Sequence, residues 1–430
     1  MRNLFFLLGF VLMGILSYSC SEDYEPVMTD NPKDAADKPR CITPEQAAEN
    51  VLAFLDAIDE AQYGKSRTNV KRRISDISPL TRPVYSRFRN PPQGGSDTLL
   101  YIINFADSAG FAIAGATPNG EPVYAIVNSG NYSLQMLNTE TNKGFTMFLK
   151  FTMRNLLDEE LYGSLPPTQQ PDTVIDDWKI YKIIEPKLIT NWGQGGMNNP
   201  NSYGKYCPNK TAGCGIIAAA QVLSYFKTPD SVSWSENGVN YYSDIVWTKI
   251  LLDASIFNGK LDPIKTPRPM DQIAHLCRYL GLEFNADYRD YYDEENQKRV
   301  IETSTTLENV VKWFNKKSAL NATNIKSLNI NEKDIANAIY NDKLVIARGQ
   351  TASKEGHSWV IDGVIEAKKN GKKRYLFSCN WGWNGDKNGY YLADSFNTLE
   401  GAEISTYPID SISGNNYNLG YKLKYTIISK

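Results

Sequence analysis

Histidine is scarce in this sequence, and that scarcity limits the chemistry that the chain can perform. Its 430 residues include only two histidines, His275 and His357. The cysteines and histidines do not cluster at the spacing that a zinc site uses. We therefore expect no metal and no cofactor. A reaction that needs an imidazole must use one of these two residues.

Long apolar runs and an excess of one charge are also lacking. Beyond the first twenty residues, no stretch approaches the roughly 18 apolar residues that a membrane-spanning helix needs. With 46 basic and 48 acidic residues the net charge is -2, which gives no electrostatic reason to expect a nucleic-acid partner. The length instead predicts two folded units and a leader.

The N-terminus has the pattern of an export signal. Met1, Arg2 and Asn3 precede an apolar run from Leu4 to Leu16, and Ser17-Tyr18-Ser19-Cys20 follows. This resembles a bacterial lipoprotein signal in residues 1–20, which implies acylation of Cys20. Secretion after cleavage nearby is the alternative. We expect an exported protein that is either held by lipid alone to a bacterial membrane, the outer one, or secreted.

Composition and periodicity divide the rest of the chain. Residues 21–41 are rich in Asp, Pro and Lys and predict a flexible tether. Residues 42–165 predict a small α+β unit without histidine: a capped helix from Thr43, three antiparallel strands and a second helix. The strands are expected at Thr98–Phe105, Gly110–Thr117 and Pro122–Asn128, and the helix at Lys143–Leu161. Residues 166–180, which contain three prolines, predict a linker.

Residues 181–430 predict a second α+β unit, with helices first and antiparallel strands after them. Asn370-Gly371 is a strong signal for a hairpin turn. The expected helices are Gly213–Phe226, Met270–Leu282 and Leu307–Lys316. The expected strands are Lys343–Arg348, Trp359–Val364, Arg374–Cys379, Gly389–Leu392 and Lys422–Ile428.

His357 is the better candidate for a catalytic imidazole. His275 lies within an amphipathic helix, where a structural role is the ordinary expectation. His357 lies where a loop enters a β-strand, and such a rigid edge can present a catalytic base.

Cys214 is the candidate nucleophile. It occupies the predicted first turn of a helix, where free backbone N–H groups and the helix dipole favour a thiolate. Gly213 and Gly215 on either side would let a substrate backbone approach closely. Taken alone, this cysteine could equally pack a helix start.

Three further residues complete a possible site. Asn380 could accept the imidazole N–H and orient the ring, and Trp381 could shield that bond from water. Gln194 could donate, together with the backbone N–H of Cys214, to a developing oxyanion. His357 follows Cys214 by 143 residues, within the roughly 130–150 residues typical of papain-like enzymes.

These segments resemble the streptopain family of bacterial papain-like cysteine proteases, together with its prodomain. The matching pieces are Asn-Trp-Gly-Gln from Asn191, the Gly-Cys helix start and its Ala-Gln-Val-Leu-Ser-Tyr-Phe end, Gly-His-Ser-Trp-Val-Ile-Asp-Gly from Gly356, and Asn-Trp-Gly-Trp-Asn-Gly from Asn380. The resemblance covers the chain from about residue 42 to the end. It implies a papain-like fold, Cys214 as nucleophile, His357 as acid and base, and Gln194, Asn380 and Trp381 in the roles given above.

The expected function is a cysteine endopeptidase made as a zymogen. Its partners would be a protein or peptide substrate and its own prodomain, residues 42–165, acting as an intramolecular inhibitor that is released by cleavage within 166–180. Two alternatives stay open. One is a binding or adhesion lipoprotein on an inactive protease scaffold. The other is a thiol amidase or transglutaminase, in which Asp362 would orient the imidazole.

The other cysteines have no assigned chemistry. With Cys20 as a lipid site, five remain, so at least one thiol stays free. Cys379 is expected to pack within a strand. A disulfide among Cys41, Cys207 and Cys277 is left open.

Overall fold

A computed structural model describes residues 42–64, 72–81, 98–117, 120–162, 177–196, 202–294, 297–325, 332–350, 356–396 and 423–430. The predicted signal peptide, tether and Cys41 lie outside these residues, as does most of the predicted linker. None of the described helices is long and apolar enough to cross a membrane.

Helix α1 (Pro44–Tyr63) begins where the capping signal predicts. The Thr43 side chain accepts from the backbone N–H of Gln46, and the Gln46 side chain accepts from the backbone N–H of Thr43. This capping box satisfies two N–H groups that a helix start leaves free. The buried face of the helix, which includes Val51 and Phe54, packs against the sheet beside it.

The predicted three-stranded meander is present, with one additional strand at its edge. Its strands are β2 (Thr98–Phe105), β3 (Phe111–Gly115) and β4 (Val123–Val127), paired antiparallel in chain order. The additional strand, β1 (Ile74–Thr81), pairs with β2. It was not predicted because Ser75, Asp76, Ser78 and Pro79 conceal its alternating pattern. Helix α2 (Lys143–Tyr162) follows, close to its predicted bounds.

The second unit contains the predicted helices together with two shorter ones. The predicted ones are α3 (Cys214–Phe226), α5 (Pro267–Glu283) and α6 (Leu307–Lys317). The others are α4 (Trp247–Ile256) and α7 (Glu332–Tyr340).

The strands of the second unit include the five that were predicted. These are β11 (Leu344–Gln350), β12 (Gly356–Lys369), β13 (Lys372–Asn380), β14 (Gly389–Leu392) and β15 (Lys424–Ser429). Asn370 and Gly371, at φ 50° and 74°, form the predicted turn between β12 and β13. The others are β5 (Lys179–Ile184), β6 (Ser231–Glu236), β7 (Val239–Asp244), β8 (Asp287–Asp293), β9 (Lys298–Ser304) and β10 (Asn321–Ile325). Because β5 starts at Lys179 and pairs with β12, the end of the predicted linker is part of the sheet.

One sheet runs through both units. Its strand order is β1-β2-β3-β4-β14-β13-β12-β11-β15-β10, with β5 paired to β12, while β6-β7 and β8-β9 form separate hairpins. The join is the antiparallel pairing of β4 with β14, in which Val127 lies opposite Gly389. The predicted α+β class is confirmed.

Two cores lie on either side of the second unit's strands. Trp359 and Ile361 of β12 belong to the core that contains α1 and α2, whereas Val360 belongs to the core around α3 and α5. Alternate residues of a strand point to opposite faces. The strand that carries His357 therefore lies between α2 on one side and α3 on the other.

Candidate active site

Cys214 is the first residue of α3, as predicted, and the glycines beside it serve packing. Gly213 has a φ of 91°, and a Cβ there would lie 2.7 Å from the carbonyl oxygen of Thr303. A Cβ on Gly215 would lie 2.3 Å from Oγ1 of Thr305. Both glycines therefore let the helix start approach the end of β9 and the residues after it.

His357 is the second residue of β12 and lies opposite Gly349 of β11. The imidazole is almost completely buried. Its Nε2 lies 2.8 Å from the backbone carbonyl oxygen of Trp381. Its Nδ1 makes no regular hydrogen bond with a described residue. Donation from Nε2 to the carbonyl fixes the tautomer and leaves Nδ1 as the nitrogen available to a thiol.

The thiol of Cys214 is unusually acidic. Burial raises its pKa, but the hydrogen bond and charge of His357 and the charge of Arg348 outweigh burial, so the pKa falls to about 6. The other described thiols differ: burial raises the pKa of Cys207 to about 11, and raises those of Cys277 and Cys379 well above the usual value. A depressed pKa marks a reactive cysteine, whereas buried structural cysteines are inert.

Arg348 was not singled out in the sequence. It ends the apolar run of β11, and its Nη1 donates to the carbonyl oxygen of Thr305 at 2.8 Å. That bond holds the guanidinium near α3, where its charge favours the thiolate. The signal that could have found it is a single charged residue interrupting an otherwise apolar buried strand.

Three tryptophans surround the His357 ring. Trp359 is stacked with it at 6.4 Å between ring centroids, Trp381 lies at 6.5 Å and Trp383 at 5.8 Å. Nε1 of Trp381 donates to the carbonyl oxygen of Lys387 at 2.9 Å, which holds the indole in place. A dry environment strengthens the hydrogen bond between the imidazole and the Trp381 carbonyl.

Asn380 does not contact the imidazole, and here the prediction needs correction. Its Nδ2 donates to the carbonyl oxygen of Thr190 at 2.8 Å, and its Oδ1 accepts from Gln221 and from the backbone of Gly382. Asn380 lies opposite Val360 of β12, so its side chain shares the face of Val360, whereas His357 is two residues before Trp359 and lies on the other face. The partner of the imidazole is thus the backbone of Trp381.

Gln194 lies close to the start of α3. The backbone N–H of Ala212, two residues before Cys214, donates to the carbonyl oxygen of Gln194 at 2.7 Å. On either side, Gly193 pairs with Trp383 and Gly195 with Thr211. The segment that carries Gln194 therefore runs between the start of α3 and the loop that carries Trp381 and Trp383.

The remaining candidates lie elsewhere. The His275 ring stacks on Tyr206 at 4.2 Å, and its Nδ1 lies 3.3 Å from Oγ of Ser243. Asp362 accepts from the backbone of Leu188 and from Ser378, so it does not orient His357. Cys379 is buried in the core, and Cys207 and Cys277 are free thiols. Across the described ranges there is no group of three or more His, Cys, Asp or Glu that could hold a metal ion.

The start of α2 reaches this site. A Cβ on Gly144 would lie 2.1 Å from Cε3 of Trp381 and 2.8 Å from Cδ2 of His357. One turn further along, Cε of Met147 lies where a Cβ on Gly349 would be, at 2.2 Å. The first unit therefore covers the imidazole directly. The sequence offered no signal for this contact, since a glycine in a helix start has many possible causes.

Comparison with known proteins identifies the second unit. A model of the Peptidase C10 family matches residues 192–391. This part of the chain is similar to the peptidase C10 family. The match includes Cys214, His357 and Trp381, and the predicted resemblance to the streptopain family is confirmed. The chain is a cysteine-type peptidase.

Two solved structures resemble the chain in whole or in part. A mutant fragment of prointerpain A from Prevotella intermedia has a TM-score of 0.48 and 18% identity, over 82% of this chain and 97% of that one. The active wild-type interpain A cysteine protease of the same organism has a TM-score of 0.35 and 19% identity, over 61% of this chain and 98% of that one. The search among curated proteins gave no match.

Proposed function

We propose that the chain is the zymogen of a cysteine endopeptidase in which Cys214 is the nucleophile and His357 the acid and base. The observation that carries this is the acidic thiol of Cys214, with a pKa of about 6, beside a buried imidazole whose other nitrogen is already bonded. At pH 7 such a thiol is about nine-tenths thiolate.

The reaction follows from this arrangement. The thiolate sulfur bonds to the carbonyl carbon of the scissile peptide, and the π electrons move to the oxygen. When the tetrahedral intermediate collapses, the C–N bond breaks and the imidazolium of His357 gives its proton to the leaving amine. Water then attacks the thioester as His357 takes its proton, and the thiolate leaves. The Trp381 carbonyl keeps Nε2 bonded while Nδ1 exchanges the proton.

We assign the oxyanion-binding role to the backbone N–H of Cys214 and the side chain of Gln194. The free N–H groups of a helix start are suited to a developing negative charge. The bond from Ala212 to Gln194 supports the assignment because it ties the two donors together.

Hydrolysis and thiol labelling together test this function. Incubated with labelled casein, the processed protein is expected to release peptides, and iodoacetamide is expected to stop release while modifying Cys214 first. The alkylation rate should rise with pH through a midpoint near 6, because only the thiolate reacts. Peptide mapping by mass spectrometry identifies the modified residue. Amine incorporation without peptide release would indicate a transglutaminase. Neither activity, with Cys214 unreactive near pH 7, would indicate an inactive scaffold.

We assign residues 42–165 as an inhibitory prodomain, 166–180 as the linker that is cut, and 181–430 as the catalytic domain. Two contacts support inhibition: Gly144 lies against His357, and Met147 lies against Gly349. A third is the nearly buried pair of Glu140 and Lys387, with Oε2 and Nζ 3.7 Å apart. Removing residues before the linker would uncover the imidazole.

We also propose that the protein is exported and attached by a lipid on Cys20, with the tether of residues 21–41 between anchor and body. The support is the order of charged start, apolar run and cysteine in the sequence. Expressed in a bacterium with a lipoprotein pathway, the wild-type chain should fractionate with membranes and Cys20→Ala with the soluble exported fraction. Equal fractions for both would favour ordinary secretion.

A further inference from the structure

The segment from Leu188 to Trp192 is held by three buried side chains. It has no regular secondary structure, so its backbone groups need partners from elsewhere. The N–H of Leu188 donates to Oδ2 of Asp362 at 2.9 Å. The carbonyl oxygen of Thr190 accepts from Asn380 at 2.8 Å. The N–H of Trp192 donates to Oε1 of Gln221 at 3.1 Å. Every second residue of the segment is thus fixed.

Two of these side chains are bonded to each other. Nε2 of Gln221 donates to Oδ1 of Asn380 at 3.2 Å. The orientation of both amides follows from the backbone: the N–H of Trp192 requires the oxygen of Gln221, which turns its nitrogen to Asn380. The N–H of Gly382 also requires Oδ1 there, which turns Nδ2 to Thr190. Both lone pairs of Oδ1 are then in use, so Asn380 has no acceptor left for an imidazole.

The network links the segment that carries Gln194 to α3, whose first residue, Cys214, supplies the other proposed oxyanion donor. Gln221 lies two turns along α3 from Cys214, on the same face of the helix. Trp192, which Gln221 holds, is two residues before Gln194. The far end of the segment is fixed by Asp362 at a break in the pairing of β12 with β13. All three side chains are almost completely buried.

We infer that Asn380 and Gln221 are positioning residues for Gln194 and do not serve the imidazole. This rests on the proposed role of Gln194. Their amides fix the distance between the Gln194 segment and the helix that carries the nucleophile. A displacement of about 1 Å can cost a hundredfold in rate, and loss of an oxyanion donor costs roughly 10²–10³ in kcat.

The test separates oxyanion binding from the reactivity of the thiol. Gln221→Met removes both hydrogen bonds at nearly constant shape, and Asn380→Ala removes the link to Thr190. For each mature variant, kcat for a peptide substrate and the pH dependence of Cys214 alkylation by iodoacetamide are measured. We expect kcat to fall by about 10- to 100-fold, with the alkylation midpoint still near pH 6. Alkylation needs the thiolate and imidazole but no oxyanion donor, so it also reports that the site is folded.

Two further variants make the outcome decisive. Gln221→Glu keeps the acceptor for Trp192 but places a carboxylate oxygen against Oδ1 of Asn380, so its kcat should also fall below that of wild type. Combining Gln221→Met with Gln194→Ala should lower kcat no further than Gln194→Ala alone, because both act on one interaction.

Three results would contradict the inference. A shift of the alkylation midpoint in Asn380→Ala toward that of His357→Ala would overturn the inference and restore Asn380 as an imidazole partner. An unchanged kcat in Gln221→Met would also overturn it. If Gln194→Ala alone leaves kcat unchanged, the proposed oxyanion role fails along with the inference, whereas Cys214 and His357 are tested separately by their own variants.

Discussion

Cys214→Ala is expected to lower kcat/KM for peptide hydrolysis by at least about 10⁴-fold. No other described thiol can replace it, since burial raises the pKa values of Cys277 and Cys379 well above the usual value and that of Cys207 to about 11. The measurement is hydrolysis of a fluorogenic peptide by mature enzyme. Because a variant of this kind cannot process itself, the linker is cut by an added protease in all samples.

Cys277→Ala is the matched control. It removes a buried free thiol of α5 that has no part in the proposed reaction, so its activity should stay within a few-fold of wild type. Activity that survives in Cys214→Ala would assign the nucleophile to another residue.

His357→Ala is expected to give a loss of similar size and, in addition, a change in the thiol. The imidazole supplies the largest of the effects that lower the pKa of Cys214 against burial. Without it the pKa of Cys214 rises, and alkylation near pH 6 slows sharply. The double variant should be no less active than either single one, because residues that act as a unit are not additive. Additive losses would show that the two side chains act in separate steps.

Local signals in the sequence predicted several helix starts and turns of the fold. The capping box at Thr43, the turn at Asn370-Gly371 and the helix start at Cys214 all rest on contacts within a few residues, and each is in place. The hairpin of β8 and β9 was not predicted, because its tyrosines and charged residues conceal an alternating pattern. Its strands pair with each other and lie outside the main sheet.

The sequence singled out side chains that lie together in the structure, but it missed an imidazole partner that belongs to the backbone. An asparagine after a strand is a reasonable imidazole partner, but a backbone carbonyl serves equally well and every residue has one. Only the tertiary structure distinguishes the carbonyl of Trp381 from the amide of Asn380. For the same reason, Gln221 was noted only as part of a helix until its partners on the Gln194 segment were known.

The contact of α2 with the site could not be predicted from the sequence either, since it joins residues more than two hundred positions apart. Asn142 starts the helix: its Oδ1 accepts from the backbone of Phe145 at 3.1 Å, and its Nδ2 donates to the carbonyl oxygen of Asp386 at 2.9 Å. The helix start is thereby tied to the loop that carries Trp381. Phe148 packs edge-on against Tyr391 at 4.7 Å and continues the contact along the helix. Gly144 lies between these anchors, where no side chain fits.

Gly144→Leu in the full-length chain is therefore expected to accelerate maturation. Its side chain would overlap Trp381 and His357, and overpacking of this kind costs about 1–3 kcal/mol, which corresponds to roughly 5- to 150-fold in the opening equilibrium. To separate opening from catalysis, the variant is made together with Cys214→Ala and cut in trans by mature wild-type enzyme, with shortening followed on gels. Lys143→Leu, at the exposed neighbouring position, is the matched control and should be cut at the wild-type rate. Equal rates for Gly144→Leu and Lys143→Leu would mean that the contact at Gly144 does not hold the prodomain closed, and inhibition would then rest on the contact of Met147 with Gly349 and on the pair of Glu140 and Lys387.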